Sequence, residues 1–172
     1  MILYPNILLE RVDKITIDFL KKNNLKALIL DVDNTLIDYY QNLSEEIINW
    51  SNKMRENGIK LYILSNTNKK QKVEKVSKKM GDLPYKMFAK KPSKKGFLKI
   101  QEELNLEPEE IAVVGDQIFT DVIGGNRSKM YTILVEPIDK KDIIITAIKR
   151  PIEEIIKNKY KKKENKGEKD VF

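Results

Sequence analysis

Apolar residues fall in short, dense runs at positions 27–30, 59–64, 111–114 and 131–135, with a briefer one at Met87 and Phe88. Such runs read as buried strands, and stretches of helical periodicity separate them. Between the first two, Leu43, Ile47, Ile48, Trp50 and Met54 form a core-facing helical stripe over 43–56. Ser44 is placed to cap that helix, Glu45 and Glu46 suit its first turn, and Gly58 marks its end. Further helices are expected over 12–22 and 69–80, and an amphipathic one over 142–159 that Pro151 kinks or divides. Strands alternating with helices predict an α/β fold: one doubly wound, three-layer, Rossmann-like domain with a mainly parallel sheet. Ile2, Leu3, Tyr4, Ile7, Leu8 and Leu9 precede all of this. They either pack on the core, the commoner fate, or dip into a bilayer interface.

The strand ends carry the chemistry. The first run delivers Asp31 and Asp33, two apart, so both face the crevice beyond the strand. In open α/β sheets that crevice is where ligands bind. Two carboxylates there repel each other and invite a hard cation with oxygen ligands, Mg²⁺. Asp31 then serves as nucleophile and Asp33 as acid/base partner. The second run ends in Ser65-Asn66-Thr67, a basic element follows at Lys90-Lys91-Pro92-Ser93, and the 111–114 run ends in Gly115-Asp116 with Asp121 five residues on. Alone, an Asp-x-Asp at a strand end is also an ordinary turn signal. The order acid pair, hydroxyl, lysine, acid pair is much harder to dismiss.

In that order of elements, over about 27–135, the chain resembles the haloacid dehalogenase (HAD) superfamily of phosphohydrolases. Asp-Val-Asp-Asn-Thr at 31–35 is close to the family's Asp-x-Asp-x-Thr, with Asn34 where many members carry Gly. Gly-Asp-Gln-Ile-Phe-Thr-Asp at 115–121 is a full final motif. The resemblance implies that Asp31 forms an aspartyl-phosphate, while Asp33 protonates the leaving oxygen and then activates water. Asn34, Thr35, Ser65, Asn66 and Lys91 would bind the phosphoryl group. Thr35 equally suits a turn cap. Lys91 matches the family's Lys-Pro best, Lys94 being the next candidate. Asp31, Asp116 and the Asp33 backbone carbonyl would hold Mg²⁺, and Asp121 would orient metal-bound water or Lys91.

Many relatives carry a substrate-selecting cap inserted after the first motif or between the second and third. Here 35–65 and 66–91 each have room for about one helix and a strand, so a capless, open site is expected. An open site suits a phosphate displayed on something large. With the lead-in at 4–36, the chain looks most like the YqeG-like group, related to phosphatidylglycerophosphate phosphatases. That resemblance makes phosphatidylglycerophosphate the leading substrate. The alternatives are a nucleic-acid end, a phosphoprotein or a soluble phosphate ester, and a non-enzymatic binding module. The module is disfavoured because Asp31, Asp33, Lys91 and Asp116 are all present.

Composition narrows the picture. At 172 residues and 41% hydrophobic content the chain suits one globular domain, drawn as 1–160 with a basic disordered tail at 161–172. No run is long enough to cross a bilayer, and 1–9 lacks the basic start and cleavage site of a secretory signal, which argues for a cytoplasmic location. The chain has no Cys and no His, so disulfides, His-based catalysis and ordinary Zn²⁺ ligation are excluded. The net charge of +7 concentrates towards the Lys-rich tail at 157–170. That tail either contacts an anionic membrane from its inner face or merely solubilises the chain. A dedicated nucleic-acid partner is not expected.

Overall fold

The computed structural model describes residues 2–139 together with 154, 156–159, 161 and 162. Six parallel strands make one sheet: β1 (Ile7–Leu9), β2 (Ala27–Leu30), β3 (Lys60–Leu64), β4 (Tyr85–Lys86), β5 (Ile111–Gly115) and β6 (Tyr131–Val135), in the order β1-β6-β5-β2-β3-β4. The central strands are buried along their length, as a parallel sheet covered on both faces requires. Alternate residues serve opposite faces. Leu28, Leu30, Leu61, Ile63, Ala112 and Val114 join a core built with α1 (Ile17–Lys22), α2 (Glu45–Glu56) and α3 (Lys70–Lys79). Ala27, Ile29, Tyr62, Leu64, Ile111 and Val113 instead meet Phe97 and Ile100 of α4 (Lys94–Leu104).

Local chemistry sets the helix ends. The Ser44 hydroxyl accepts from the Ile47 N–H at 3.3 Å, as expected, and Gly58 follows α2 at φ 79°. The expected 12–22 helix is shorter: a 3₁₀ turn (Val12–Lys14) comes first and α1 then restarts at the Thr16 cap, whose hydroxyl accepts from the Phe19 N–H at 3.1 Å. Trp50 donates its indole N–H to the Ile15 carbonyl at 2.9 Å, tying α2 to this lead-in. A short helix, α5 (Ile123–Arg127), continues a π-helical turn (Ile118–Val122).

The N-terminal run packs on the fold. Ile7 is buried and pairs with Ile133, while Leu3 and Leu8 cover Ile118, Val122 and Leu134. The strand expected at 87–88 lies at Tyr85–Lys86, because Phe88 turns outward at φ 51°. One helix lies between β2 and β3, and one between β3 and β4, so the described residues include no cap domain. The 142–159 helix and the 161–172 tail fall largely outside the described residues; 154, 156–159, 161 and 162 are helical. No helix among the described residues is long and apolar enough to cross a membrane.

Candidate active site

The strand order reverses between β2 and β5. From β2 the chain moves outward through β3 and β4; β5 then pairs on the other side of β2 and leads to β6. The crevice above such a reversal is the expected ligand position. Asp31 leaves β2 there, its N–H donating to the Val114 carbonyl at 3.0 Å, and Asp116 leaves β5 beside it. Lys91 enters from the loop after β4. Its ammonium donates to Asp31 Oδ1 and to Asp121 Oδ1, both at 2.7 Å, with the side chain only 3% exposed. Lys94 is exposed on the first turn of α4. The lysine that joins the acids is therefore Lys91.

Charge balance gives this cluster its chemistry. Oxygens of Asp31, Asp116 and Asp121 lie within 4.8 Å of one another. Against the single ammonium of Lys91, the three carboxylates leave two negative charges when all are ionised. Burial is the main force that pushes Asp31 up to about 8; the neighbouring Asp121 and Asp116 add to it and Lys91 opposes it. For Lys91, burial acts to lower the pKa, but the carboxylates of Asp121 and Asp31 outweigh it and hold the group above its ordinary value. A divalent cation would neutralise the remainder, and clustered carboxylate oxygens are the donors that Mg²⁺ takes. The residues present fit such an ion.

Supporting contacts fix each group. Asn66 accepts from the Lys91 N–H at 2.7 Å and donates its amide to the Lys91 carbonyl at 3.3 Å, so its side chain holds the lysine's backbone. Both Asp121 oxygens are engaged, Oδ1 by Lys91 and Oδ2 by the Gln117 N–H at 3.3 Å, which suits an orienting acid. Gly115 makes room for this carboxylate: a Cβ there would lie 2.1 Å from Asp121 Oδ2. That close approach is the physical reason for glycine at the head of the last motif. Ser65 is buried, and its hydroxyl accepts from the Thr67 N–H at 3.2 Å.

The loop after β2 arranges the remaining groups. Asn34 adopts φ 59°, a left-handed conformation that Asn tolerates better than most residues, so it can stand in for Gly. Its backbone carbonyl accepts from the Ile138 N–H at 3.0 Å and its Oδ1 from the Asp139 N–H at 3.1 Å. Thr35 is buried, and its hydroxyl has no hydrogen-bond partner among the described residues, so it caps no turn there. Asp33 is the most exposed acid of the group, and its Oδ1 accepts from Lys72 Nζ at 2.7 Å. Sequence reasoning missed Lys72. Its one signal was position: it directly precedes buried Val73 in the first turn after the Ser65 strand end.

The family model described as mitochondrial PGP phosphatase matches residues 1–139. The chain belongs to that family. Within it, the chain is 38% identical over 160 residues to the probable phosphatase YqeG of Bacillus subtilis (strain 168), covering 92% of each. This member of the PGP phosphatase family is a phosphatase of the YqeG-like group. The fold recurs in an uncharacterized protein from Listeria monocytogenes serotype 4b, at TM-score 0.55 and 21% identity, over 68% of this chain and 84% of that one. It recurs too in a predicted HAD-like family hydrolase from Porphyromonas gingivalis, at TM-score 0.53 and 14% identity, over 74% and 98% of the two chains.

Proposed function

We propose that this phosphatase hydrolyses the terminal phosphomonoester of phosphatidylglycerophosphate through a phosphorylated Asp31. The observation that carries the chemistry is the buried ammonium of Lys91, 2.7 Å from both Asp31 and Asp121 at the sheet's reversal point. Lys91 takes up charge at Asp31 Oδ1 and leaves Oδ2 to attack phosphorus. As the new P–O bond forms, the bond to the alcohol oxygen breaks, and Asp33 gives that oxygen its proton. Asp33 then takes a proton from water as the water attacks phosphorus, which frees inorganic phosphate and restores Asp31. Lys72 fixes one oxygen of Asp33 and leaves the other for these transfers. Thr35 and Ser65 offer hydroxyls to the phosphoryl oxygens, and Asn66 keeps Lys91 in place. Mg²⁺, held by Asp31, Asp116 and the Asp33 carbonyl, would supply charge neutralisation for the phosphoryl group.

The lipid substrate is supported by the name of the matching family and by the absence of a cap among the described residues. Phosphate release with Mg²⁺, from phosphatidylglycerophosphate in mixed micelles and from a panel of soluble phosphomonoesters, tests it, with Asp31→Asn as control. Asp31-dependent preference for the lipid is expected. Efficient turnover of the panel with none of the lipid would overturn the substrate and leave the chemistry standing.

A further inference from the structure

Because every strand is parallel, the loops leaving β2, β4 and β6 all emerge at the end of the sheet where Asp31 lies. Four of the exposed large apolar side chains sit on them: Tyr39 and Tyr40 after β2, Phe88 after β4 and Ile138 after β6. The tyrosines occupy the tip of a tight hairpin in which Ile37 bridges both Asp33 and Leu43. Asp38 locks that tip, its carboxylate accepting from the Asn42 N–H at 2.8 Å and from the Asn42 amide at 3.0 Å. The two rings meet edge to face at 5.4 Å and remain 57% and 67% exposed. A stiff turn thus holds two aromatic rings out into solvent.

Phe88 is unusual in two respects. It is 63% exposed, and it sits at φ 51°, a left-handed conformation that bulky residues seldom adopt. The next residue, Ala89, donates its N–H to the Ser65 carbonyl at 3.1 Å, so the ring stands at the edge of the phosphate site. Ile138 donates its N–H to the Asn34 carbonyl, which brings it to the same rim.

The charges around this rim select its partner. Lys69 is exposed at the start of α3, on the loop leaving β3 at the same end of the sheet, and Lys90, Lys94 and Lys95 are exposed on the loop after β4 and the first turn of α4. Neither α3 nor α4 has an acid in its first turn, where acids are favoured; both start with lysines at the positive end of the helix dipole. That placement costs helix stability, and it concentrates positive potential around the crevice. Aromatic rings with a polar edge, ringed by lysines, match the interface of an anionic bilayer.

The geometry points to this rim as a membrane-docking surface: Tyr39, Tyr40 and Phe88 insert into an anionic lipid interface and bring a lipid phosphomonoester to Asp31. This deepens the proposed lipid specificity and rests on it. Docking here supplies on the membrane side the enclosure that a cap gives other sites. A protein partner or a second copy of the chain is the competing occupant.

The test uses the full chain and the triple variant Tyr39→Ser/Tyr40→Ser/Phe88→Asn, the last chosen because Asn tolerates the left-handed backbone. Wild-type protein should cosediment with phosphatidylglycerol-containing vesicles and not with phosphatidylcholine vesicles. In the variant, vesicle binding and turnover of vesicle-borne phosphatidylglycerophosphate should fall about tenfold or more, since interfacial binding scales with buried apolar area. Its turnover of soluble p-nitrophenyl phosphate and its melting temperature should hold, because surface substitutions are usually near neutral. Undiminished vesicle binding by the variant overturns the proposal, as does wild-type protein that ignores anionic vesicles. A wild-type dimer that the substitutions convert to monomer also overturns it. Vesicle binding through the rim without hydrolysis of the lipid would leave the docking surface standing and remove the substrate assignment.

Discussion

Lys91 is the residue on which the charge balance of the site turns. Replacing it by Met leaves the carboxylates of Asp31, Asp116 and Asp121 clustered without their cation. Loss of one partner from a buried ion pair typically costs about 3–5 kcal/mol. Lys91→Met should therefore lower the melting temperature, and by more as pH rises, because without the ammonium that opposes its upward shift Asp31 holds its proton more tightly in the folded variant. Activity should fall by about 10² or more, the usual consequence of removing a preorganised charge. Asp31 carries its own pH signature. Its folded value of about 8 lies far above the ~3.9 of an unfolded chain, so between these values the folded state binds the extra proton and this group's ionisation lowers stability as pH rises. Divalent cation must displace that proton, so Mg²⁺ affinity should tighten as pH climbs towards 8 and level off above it. Calorimetric titration of the metal-free protein on either side of that value checks both the direction and the proton release. Lys72→Met should lower kcat about tenfold with little change in KM, a part of the 10²–10⁴ that a positioned acid/base contributes. Lys72→Arg should restore part of the loss.

At the scale of elements, the last motif depends on a strand ending without a side chain. Gly115→Ala drives a methyl group into the Asp121 carboxylate, so it should displace Asp121 and with it Lys91. A fall in kcat, with the melting temperature changed far less than by Lys91→Met, would mark the effect as positional. Strand β1 makes a different demand. Ile7→Ala, at a buried position paired with β6, should cost roughly 2–5 kcal/mol, as large-to-small core changes do. Denaturant unfolding would show it; an unchanged midpoint would mean that the N-terminal run is not core. The elements also separate what was legible in the sequence from what was not. β2, β3, β5 and β6 were readable because a doubly covered parallel strand is apolar on both faces and ends sharply. β1 escaped: Ile7, Leu8 and Leu9 have no alternation, and the strand's partner lies some 126 residues away. α4 was hidden by its opening lysines, although Phe97, Ile100 and Leu104 recur at helical spacing. The strand near 87–88 was misplaced by two residues, since apolar Phe88 is spent on the surface.

At the scale of the molecule, the order of motifs along the chain located the crevice, since a doubly wound sheet gathers its strand ends there. It could not show how the groups pair, because partnerships such as Lys72 with Asp33, or Asn66 with the Lys91 backbone, arise only when distant loops meet. The family name rests on the match across 1–139 and the identity with the Bacillus protein, while the chemistry rests on one buried cluster. The most direct measurement is therefore a rapid acid quench during turnover of a radiolabelled phosphomonoester, followed by peptide mapping of the trapped protein. Label is expected on Asp31, stable to acid and labile to base and hydroxylamine, and none in Asp31→Asn. Label on another residue, or full turnover by Asp31→Asn, would contradict it.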